Sequence, residues 1–413
     1  MTRRAPVFRW GVDPARRGRM PVQVGELTQE TGRWEFVFDA AYLDQRQAAL
    51  ELDPAYIRVK QRSPFIRAGV APPPVFCDVA LSGWSLDVLQ RQRRALTGSD
   101  EAWGWWERLL YAPADGFGAL FVGHLADRPN VESMLVQALG SVTQDTLRQA
   151  QFDSSPGAMG GERPKMAAVL HDDAAGHSVP VILKFALSGE RADTVVAEAT
   201  ALTLARELGL NVPEHGITRI GGLPALHIAR FDREPGAPGP VSSGPALHCV
   251  SAATALGLTP PGDRDDARRS YPQLRSKLRH PGDALELFRR IVLNAVVGNT
   301  DDHPWNTSLR QAGLGDWRLS PLYDVLPYFH RQGPPVFSMA IRRNGTRLGS
   351  MENLVGAGLE LAGLKGDEAR AVIASTEQLV RTRWREVFDQ HARGLPQANS
   401  EDWVHVFEPP QGA

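Results

Sequence analysis

The stretch Val296–Leu309, VVGNTDDHPWNTSL, sets two adjacent acids, a histidine and two asparagines directly behind an apolar helical run. Asp301 and Asn306 stand five apart, in the pattern D-x-x-x-x-N. Phosphoryl transfer needs such a pair, because an acceptor hydroxyl must lose its proton while a metal-bound phosphate is held in line with it. In that chemistry the acid takes the proton and the asparagine binds Mg²⁺. The spacing alone is common by chance, so further groups are needed.

A second acid comes from WRLSPLYDVLP, where a short strand is expected to deliver Asp324 into a turn eighteen residues after Asn306. A carboxylate there suits the Mg²⁺ that bridges two phosphates, and with Asn306 it supplies the oxygen donors this ion prefers. The competing reading is an acid that only caps a turn. Lys184, near the end of the apolar run PVILKF, has the placing of a lysine that grips nucleotide phosphates. Glu198 lies three residues after Val195 and four before Leu202, so it shares their inward helix face. A buried carboxylate is costly unless paired, and Lys184 is the expected partner. The plainer alternative is a surface lysine and a partly exposed glutamate. Upstream, PGAMGGERPK (156–165) is rich in glycine, and such turns let backbone N–H groups approach phosphates, although many are only turns. Asp302 and His303 are expected to brace the loop, since acids and a histidine so close rarely reach one ion together.

The elements that must position these groups follow from pattern. Residues 22–43 read as two strands about a turn at Thr31-Gly32. Three prolines in APPPVF break the chain, and 84–97 and 101–111 read as helices. Trp103, Trp105 and Trp106 in the second are expected in the core or an interface. Two strands (KMAAVLHD and SVPVILKFAL), a helix at 191–208 and further strands ending in LPALHIARFDRE make a second region. The Pro- and Gly-rich 234–245 is a boundary, and the remainder reads as helical at 246–256, 283–297 and 367–394. In 283–297, Leu287, Ile291, Val292 and Ala295 share one face, and Gly298 ends the helix. The mixed-charge run 261–270 reads as a solvated loop. The expected fold is α+β and two-lobed, with a strand-rich front half and a helix-rich back half.

Composition narrows the classes. The chain has 413 residues, enough for two or three cores, with 42% apolar and 23% charged residues. Lys plus Arg is 46 against 47 for Asp plus Glu, which argues against direct gripping of nucleic acid. No apolar run is long enough to span a membrane, and MTRRAPVFRW does not read as a signal peptide. Cys77 and Cys249 read as incidental reduced cysteines of a cytoplasmic protein.

In GGERPK, VILKF, AEATALTLARELGLNVP, ARFDR, GNTDDHPWN and LSPLYDVLP, the chain resembles the HipA family of bacterial serine/threonine kinase toxins. The segments VGELTQETGRWEFVFDAAYL and DGFGAL are similar to that family's N-terminal subdomain. The resemblance implies a protein-kinase-like fold divided into an N-terminal subdomain (1–125), the ATP-binding part of an N-lobe (126–233) and an all-helical C-lobe (234–413). It implies Asp301 as catalytic base and Asn306 and Asp324 as Mg²⁺ ligands. Lys184 would contact ATP phosphates, Glu198 would support it, and Gly160, Gly161 and Lys165 would belong to the nucleotide loop. Ala229 to Phe231 would form the hinge that meets adenine. It also implies a protein substrate such as an aminoacyl-tRNA synthetase and a small helix-turn-helix antitoxin that contacts DNA for the pair. One departure stands out: the loop serine that family members phosphorylate on themselves is replaced by Ala158, with Ser154 and Ser155 out of register. A small-molecule or lipid hydroxyl kinase, or a catalytically weak antitoxin-bound co-repressor, remain the alternative functions. A neighbouring helix-turn-helix gene favours the toxin pair, and the four intact polar positions argue against lost activity.

Overall fold

The structure, a computed structural model, describes residues 2–12, 19–44, 51–58, 63–128, 131–154, 160–172, 177–186, 189–233, 246–260, 262, 264–330 and 333–408. The chain forms two contact units. One comprises Met1–Leu187, Thr218–Val250 and Gly313–Gly315; the other comprises Ser188–Ile217, Ser251–Ala312 and Asp316–Ala413.

The first unit begins with strands β1 (Arg3–Val12), β2 (Arg19–Glu30) and β3 (Arg33–Phe38), the short helix α1 (Ala40–Asp44) and strand β4 (Phe65–Ala68). With β5 (Leu120–Val122) these strands make a sheet in the order β4-β3-β2-β1-β5. The β2–β3 turn falls at Gly32, whose φ of 71° is left-handed, as the sequence predicts for a tight hairpin. Helices α2 (Pro74–Val79), α3 (Gly83–Thr97) and α4 (Trp105–Leu110) lie between β4 and β5 in sequence. The proline break is therefore also a helix start: Pro74 occupies the first turn, where a missing N–H costs nothing. Helix α4 begins four residues later than the sequence suggests, because Gly104 is its N-cap. Trp106 is buried, and its ring stacks on Trp34 at 6.0 Å. Trp103 stacks on Tyr111 at 4.8 Å, and the guanidinium of Arg108 lies 3.9 Å over the Trp105 ring.

Helices α5 (Val131–Ala138) and α6 (Gln144–Gln149) precede the second sheet. Its strands are β6 (Phe152–Ser154), β7 (Lys165–Asp172), β8 (His177–Phe185), β9 (His215–Ile220) and β10 (Leu223–Ala229), in the order β6-β7-β8-β10-β9. Phe152, Met166, Ala168, Val181, Leu183, Phe185 and Ala225 make the core on its covered face. Odd-numbered Val181, Leu183 and Phe185 alternate along β8, the period of two that a half-buried strand requires.

The second unit is helical, with α7 (Thr194–Glu207), α8 (Ala252–Leu256), α9 (Tyr271–Arg275), α10 (Pro281–Val297), α11 (Met351–Ala362), α12 (Gly366–His391) and α13 (Val404–Phe407). The expectation of an all-helical back half needs amending. Residues 246–251 are not helical: strand β11 (Cys249–Ser251) runs to Ser251, whose Oγ accepts the Thr254 N–H at 3.1 Å and so starts α8. A hairpin of β12 (Ser308–Gly313) and β13 (Asp316–Leu319) also interrupts the helices. Within 261–270, Arg269 and Ser270 are buried, so that run is not wholly solvated; Pro261 and Asp263 lie outside the described residues. Cys77 and Cys249 are both buried. Among the described residues no helix is long and apolar enough to cross a membrane.

Candidate active site

Helix α10 aims the loop that carries Asp301. Leu287, Ile291, Val292 and Ala295 are all buried, so the helix is locked on the face that its spacing predicts. Gly298 then turns the chain with φ 71°, and its N–H caps Asn294 O. Asn299 continues the cap: its N–H donates to Asn294 O at 2.9 Å and its side-chain amide to Asn294 Oδ1 at 3.1 Å. Asn299 Oδ1 in turn accepts the Asp301 N–H at 3.2 Å. The Asp301 side chain is 73% exposed, open to an incoming hydroxyl, and lies 3.8 Å from His303 Nε2.

Asn306 closes the loop. Its N–H donates to His303 O at 2.8 Å and its side-chain nitrogen to Asp301 O at 2.7 Å. That bond fixes the amide's orientation and turns Oδ1, the end that meets cations, away from it. The first two N–H groups of α8 complete the support, Ala252 donating to Thr307 O and Ala253 to Pro304 O. Asp301 and Asn306 are thus held in one hydrogen-bonded loop, as their spacing suggests.

Asp324 has φ 59°, a left-handed conformation uncommon for a residue other than glycine. It follows Tyr323, whose hydroxyl donates to Trp305 O at 3.0 Å and meets Ser308 Oγ at 2.5 Å. Tyr323 therefore ties the Asp324 turn to the residue next to Asn306. Leu322 N–H donates to Asn211 O, Arg290 Nη2 to Ser320 O and Tyr328 N–H to Gly298 O, so the segment is fastened on both sides. Sequence reasoning missed Tyr323; its only signal was its place beside the acid.

Asp302 has the bracing role expected of it. It is 4% exposed, and its Oδ1 accepts the Ser338 N–H at 2.5 Å. Burial pushes its pKa up to about 7, against the Ser338 N–H and the Tyr271 hydroxyl, which favour the ionised form. Burial, and then the Asp302 charge, push the Tyr271 hydroxyl well above its ordinary value. Among the described residues no group of three or more His, Cys, Asp and Glu side chains forms a metal cluster. Asn306 and Asp324 offer instead an amide oxygen and a carboxylate, the hard donors Mg²⁺ takes when phosphates and water complete its shell.

The first unit holds the remaining candidates except Glu198, which lies in the second. Lys184 on β8 is in register with Lys165 on β7 and with Leu226 on β10. Directly opposed residues share a face, so two lysines, 5% and 7% exposed, stand side by side on the sheet. Gly161, at φ 109°, lets the Lys165 ammonium approach its backbone; a Cβ there would lie 2.5 Å from Nζ. The Trp84 N–H donates to Gly161 O at 2.8 Å, and a Cβ on Gly160 would meet Ser82 Oγ at 2.6 Å, so this end of the glycine-rich turn rests on the start of α3. Gly157, Ala158 and Ser155 lie outside the described residues, and Ser154 is the last residue of β6. Glu198 belongs to α7 and is 1% exposed, inward as its spacing predicts.

Ala229 ends β10 opposite Val181, and Phe231 meets Phe117 edge-on at 6.4 Å. The residues between and after them carry a buried network absent from the sequence reading. Arg230 Nη2 lies 2.8 Å from Asp232 and its Nη1 3.6 Å from Asp115. Arg233 lies 2.7 Å from Asp115 and 3.0 Å from Asp232. The Gly118 N–H also donates to Asp232, at 2.8 Å. Burial opposes the charge on Asp232, but the two guanidiniums outweigh it and hold its carboxyl below the usual range. DGFGAL and ARFDR are therefore halves of one structure.

A family profile described as the HipA-like C-terminal domain matches residues 157–384. A putative kinase of Sinorhizobium fredii is 26% identical over 217 residues, covering 49% of this chain and 50% of that protein. A second putative kinase of that organism is 31% identical over 141 residues, 32% of each chain. The chain thus spans half or less of the length of the curated relatives it matches. Among solved structures, the Shewanella oneidensis toxin–antitoxin complex of HipA, HipB and operator DNA aligns with TM-score 0.65 at 17% identity, over 97% of this chain and 94% of that one. The expected α+β, kinase-like fold class is thereby borne out.

Proposed function

The chain belongs to the HipA-like family, and from that membership we propose that it is an ATP- and Mg²⁺-dependent serine/threonine protein kinase, the toxin of a toxin–antitoxin pair. The observation that carries the reading is the loop in which Asn306 bonds the Asp301 carbonyl while Tyr323 ties the Asp324 turn to Trp305. In this reading the exposed Asp301 carboxylate takes the proton of the acceptor hydroxyl as its oxygen attacks the γ-phosphorus, whose bond to the bridging oxygen breaks to release ADP. Asn306 and Asp324 would hold Mg²⁺, which when bound neutralises charge on the β- and γ-phosphates. Lys184, with Glu198 as its partner, and Lys165 meet the ATP phosphates. Like charges directly opposed in a sheet favour an anionic ligand, and this supports the role of the two lysines. Gly160 and Gly161 belong to the loop over the phosphates, and Ala229 to Phe231 to the hinge that meets adenine.

The protein substrate is one of translation, such as an aminoacyl-tRNA synthetase, and the site of action is the cytoplasm. A small helix-turn-helix antitoxin supplies contact with DNA, which suits the formal net charge of −1. The functional division we propose is 1–125, 126–233 and 234–413. Ala158 carries no hydroxyl, so control by loop autophosphorylation is absent and falls to the antitoxin; an added phosphate on Ser154 or Ser155 after incubation with Mg-ATP, read by intact mass, would contradict that. The test of the function is phosphorylation of a cell extract with radiolabelled ATP, followed by mass spectrometry of the labelled protein. Label on a serine or threonine of a protein is the expected outcome. Label only in small molecules or lipid refutes the reading.

A further inference from the structure

The second unit contains a groove of about 670 Å³ beside α9, and four arginines line it: Arg269, Arg342, Arg343 and Arg347. Among the described residues Asp265 and Asp266 are the acids in its lining. Arg342 is engaged by Glu360 at 3.0 Å and Asp266 by Arg268 at 2.5 Å. Among the described residues the other three lining arginines form no salt bridge. Arg269 is the telling one. It is 6% exposed, its Nη2 donates to Ser338 Oγ at 2.7 Å, and its Nε is buried without an acceptor. Burial, and then the like charges of Arg347 and Arg264, depress its pKa, against Asp302 and Asp266, which favour the charged form. With its Nε unsatisfied and two further guanidiniums nearby, Arg269 would gain from an anionic occupant of the groove.

The groove is also fastened to the catalytic loop. Ser338, which Arg269 holds, gives its N–H to Asp302, the neighbour of Asp301. The same wall is stitched to α9 by Ala340 N–H to Arg269 O at 2.8 Å and Tyr271 N–H to Ala340 O at 2.9 Å. We propose that the groove docks an acidic stretch of the protein substrate and so brings its serine or threonine to Asp301, an inference that rests on the kinase reading above. A peptide fits better than a nucleic acid. Asp265 and the apolar Pro272 and Ala340 in the lining oppose a continuous phosphate backbone but accept mixed side chains.

The test uses the full chain and fluorescence anisotropy with three labelled probes: a serine peptide flanked by glutamates, its lysine counterpart and a short oligouridylate. The glutamate peptide should bind, the lysine peptide should not, and affinity should fall as salt rises. Arg343→Glu with Arg347→Glu should weaken glutamate-peptide binding at least about tenfold. Arg343→Gln with Arg347→Gln serves if the reversed pair does not fold, and should weaken it in the same direction. Unchanged affinity in either folded variant overturns the proposal, as does oligouridylate binding more tightly than the glutamate peptide. Calorimetric titration of the parent with Mg-ATP separates the two readings. ATP binding without peptide binding overturns the docking groove alone. Peptide binding without ATP binding overturns the kinase reading and leaves the acidic-peptide groove standing.

Discussion

Asp301 and Asp302 are adjacent acids with opposite surroundings, one 73% exposed at its side chain and the other 4% exposed. Asp301→Asn should leave the fold and nucleotide binding nearly intact while lowering phosphoryl transfer at least about 10²-fold. Transfer at the parent rate by a variant with a native circular-dichroism spectrum would remove Asp301 from the role of base. Asp302 should show itself in stability. Its folded pKa of about 7 lies above the ordinary carboxylate value of roughly 4, so between those limits the native state keeps a proton that the unfolded chain has lost. Its effect is therefore to make stability fall as pH rises from about 4 to about 7, by up to about 1.4 kcal/mol per pH unit, and to level off above. Asp302→Asn keeps an acceptor for the Ser338 N–H and should flatten that slope. Denaturant midpoints at several pH values measure it, and an unchanged slope would be the contrary result. The spacing of Asp301 and Asn306 was readable because five residues of loop set their meeting. The surroundings of Asp302 were not, because Tyr271 and Ser338 arrive from segments more than thirty residues away on either side.

At the scale of elements, helix α10 was legible to within two residues, since its apolar spacing and Gly298 act locally. Residues 246–251 were not: their composition suits a helix, but Ser251 caps α8 and the strand before it is decided by distant pairing. Tyr323 belongs to the same class of miss, because its partners Trp305 and Ser308 lie across the β12–β13 hairpin in sequence. Tyr323→Phe should leave the Trp305 carbonyl and Ser308 hydroxyl short of a partner and cost about 1–3 kcal/mol. It should also slow phosphate transfer several-fold with little change in ATP affinity, because the loop would lose its tie to the Asp324 turn. Urea midpoints and single-turnover rates report the two effects. A variant as stable and as fast as the parent would make the tie ornamental.

Across the whole molecule, the largest commitment hidden from the sequence is the Asp115–Arg230–Asp232–Arg233 network, which joins positions more than a hundred residues apart. Arg233→Met leaves two buried carboxylates to one guanidinium and should cost about 3–5 kcal/mol. Adding Asp115→Asn should recover part of the loss, and chemical denaturation of the single and double variants decides it. A single variant as stable as the parent would mean the network is solvated. The chain's route between units also bears on its synthesis. Helix α7 is almost wholly buried, yet its partner α12 comes far later: Thr203 Oγ1 meets His391 Nε2 at 2.8 Å and Glu207 pairs with Arg383 at 3.0 Å. At ordinary translation speeds the ribosome needs roughly ten to forty seconds to reach the end of α12 after α7 has been made. For that interval a nascent helix rich in alanine, valine and leucine is without its mate, a natural client for a chaperone that binds emerging chains.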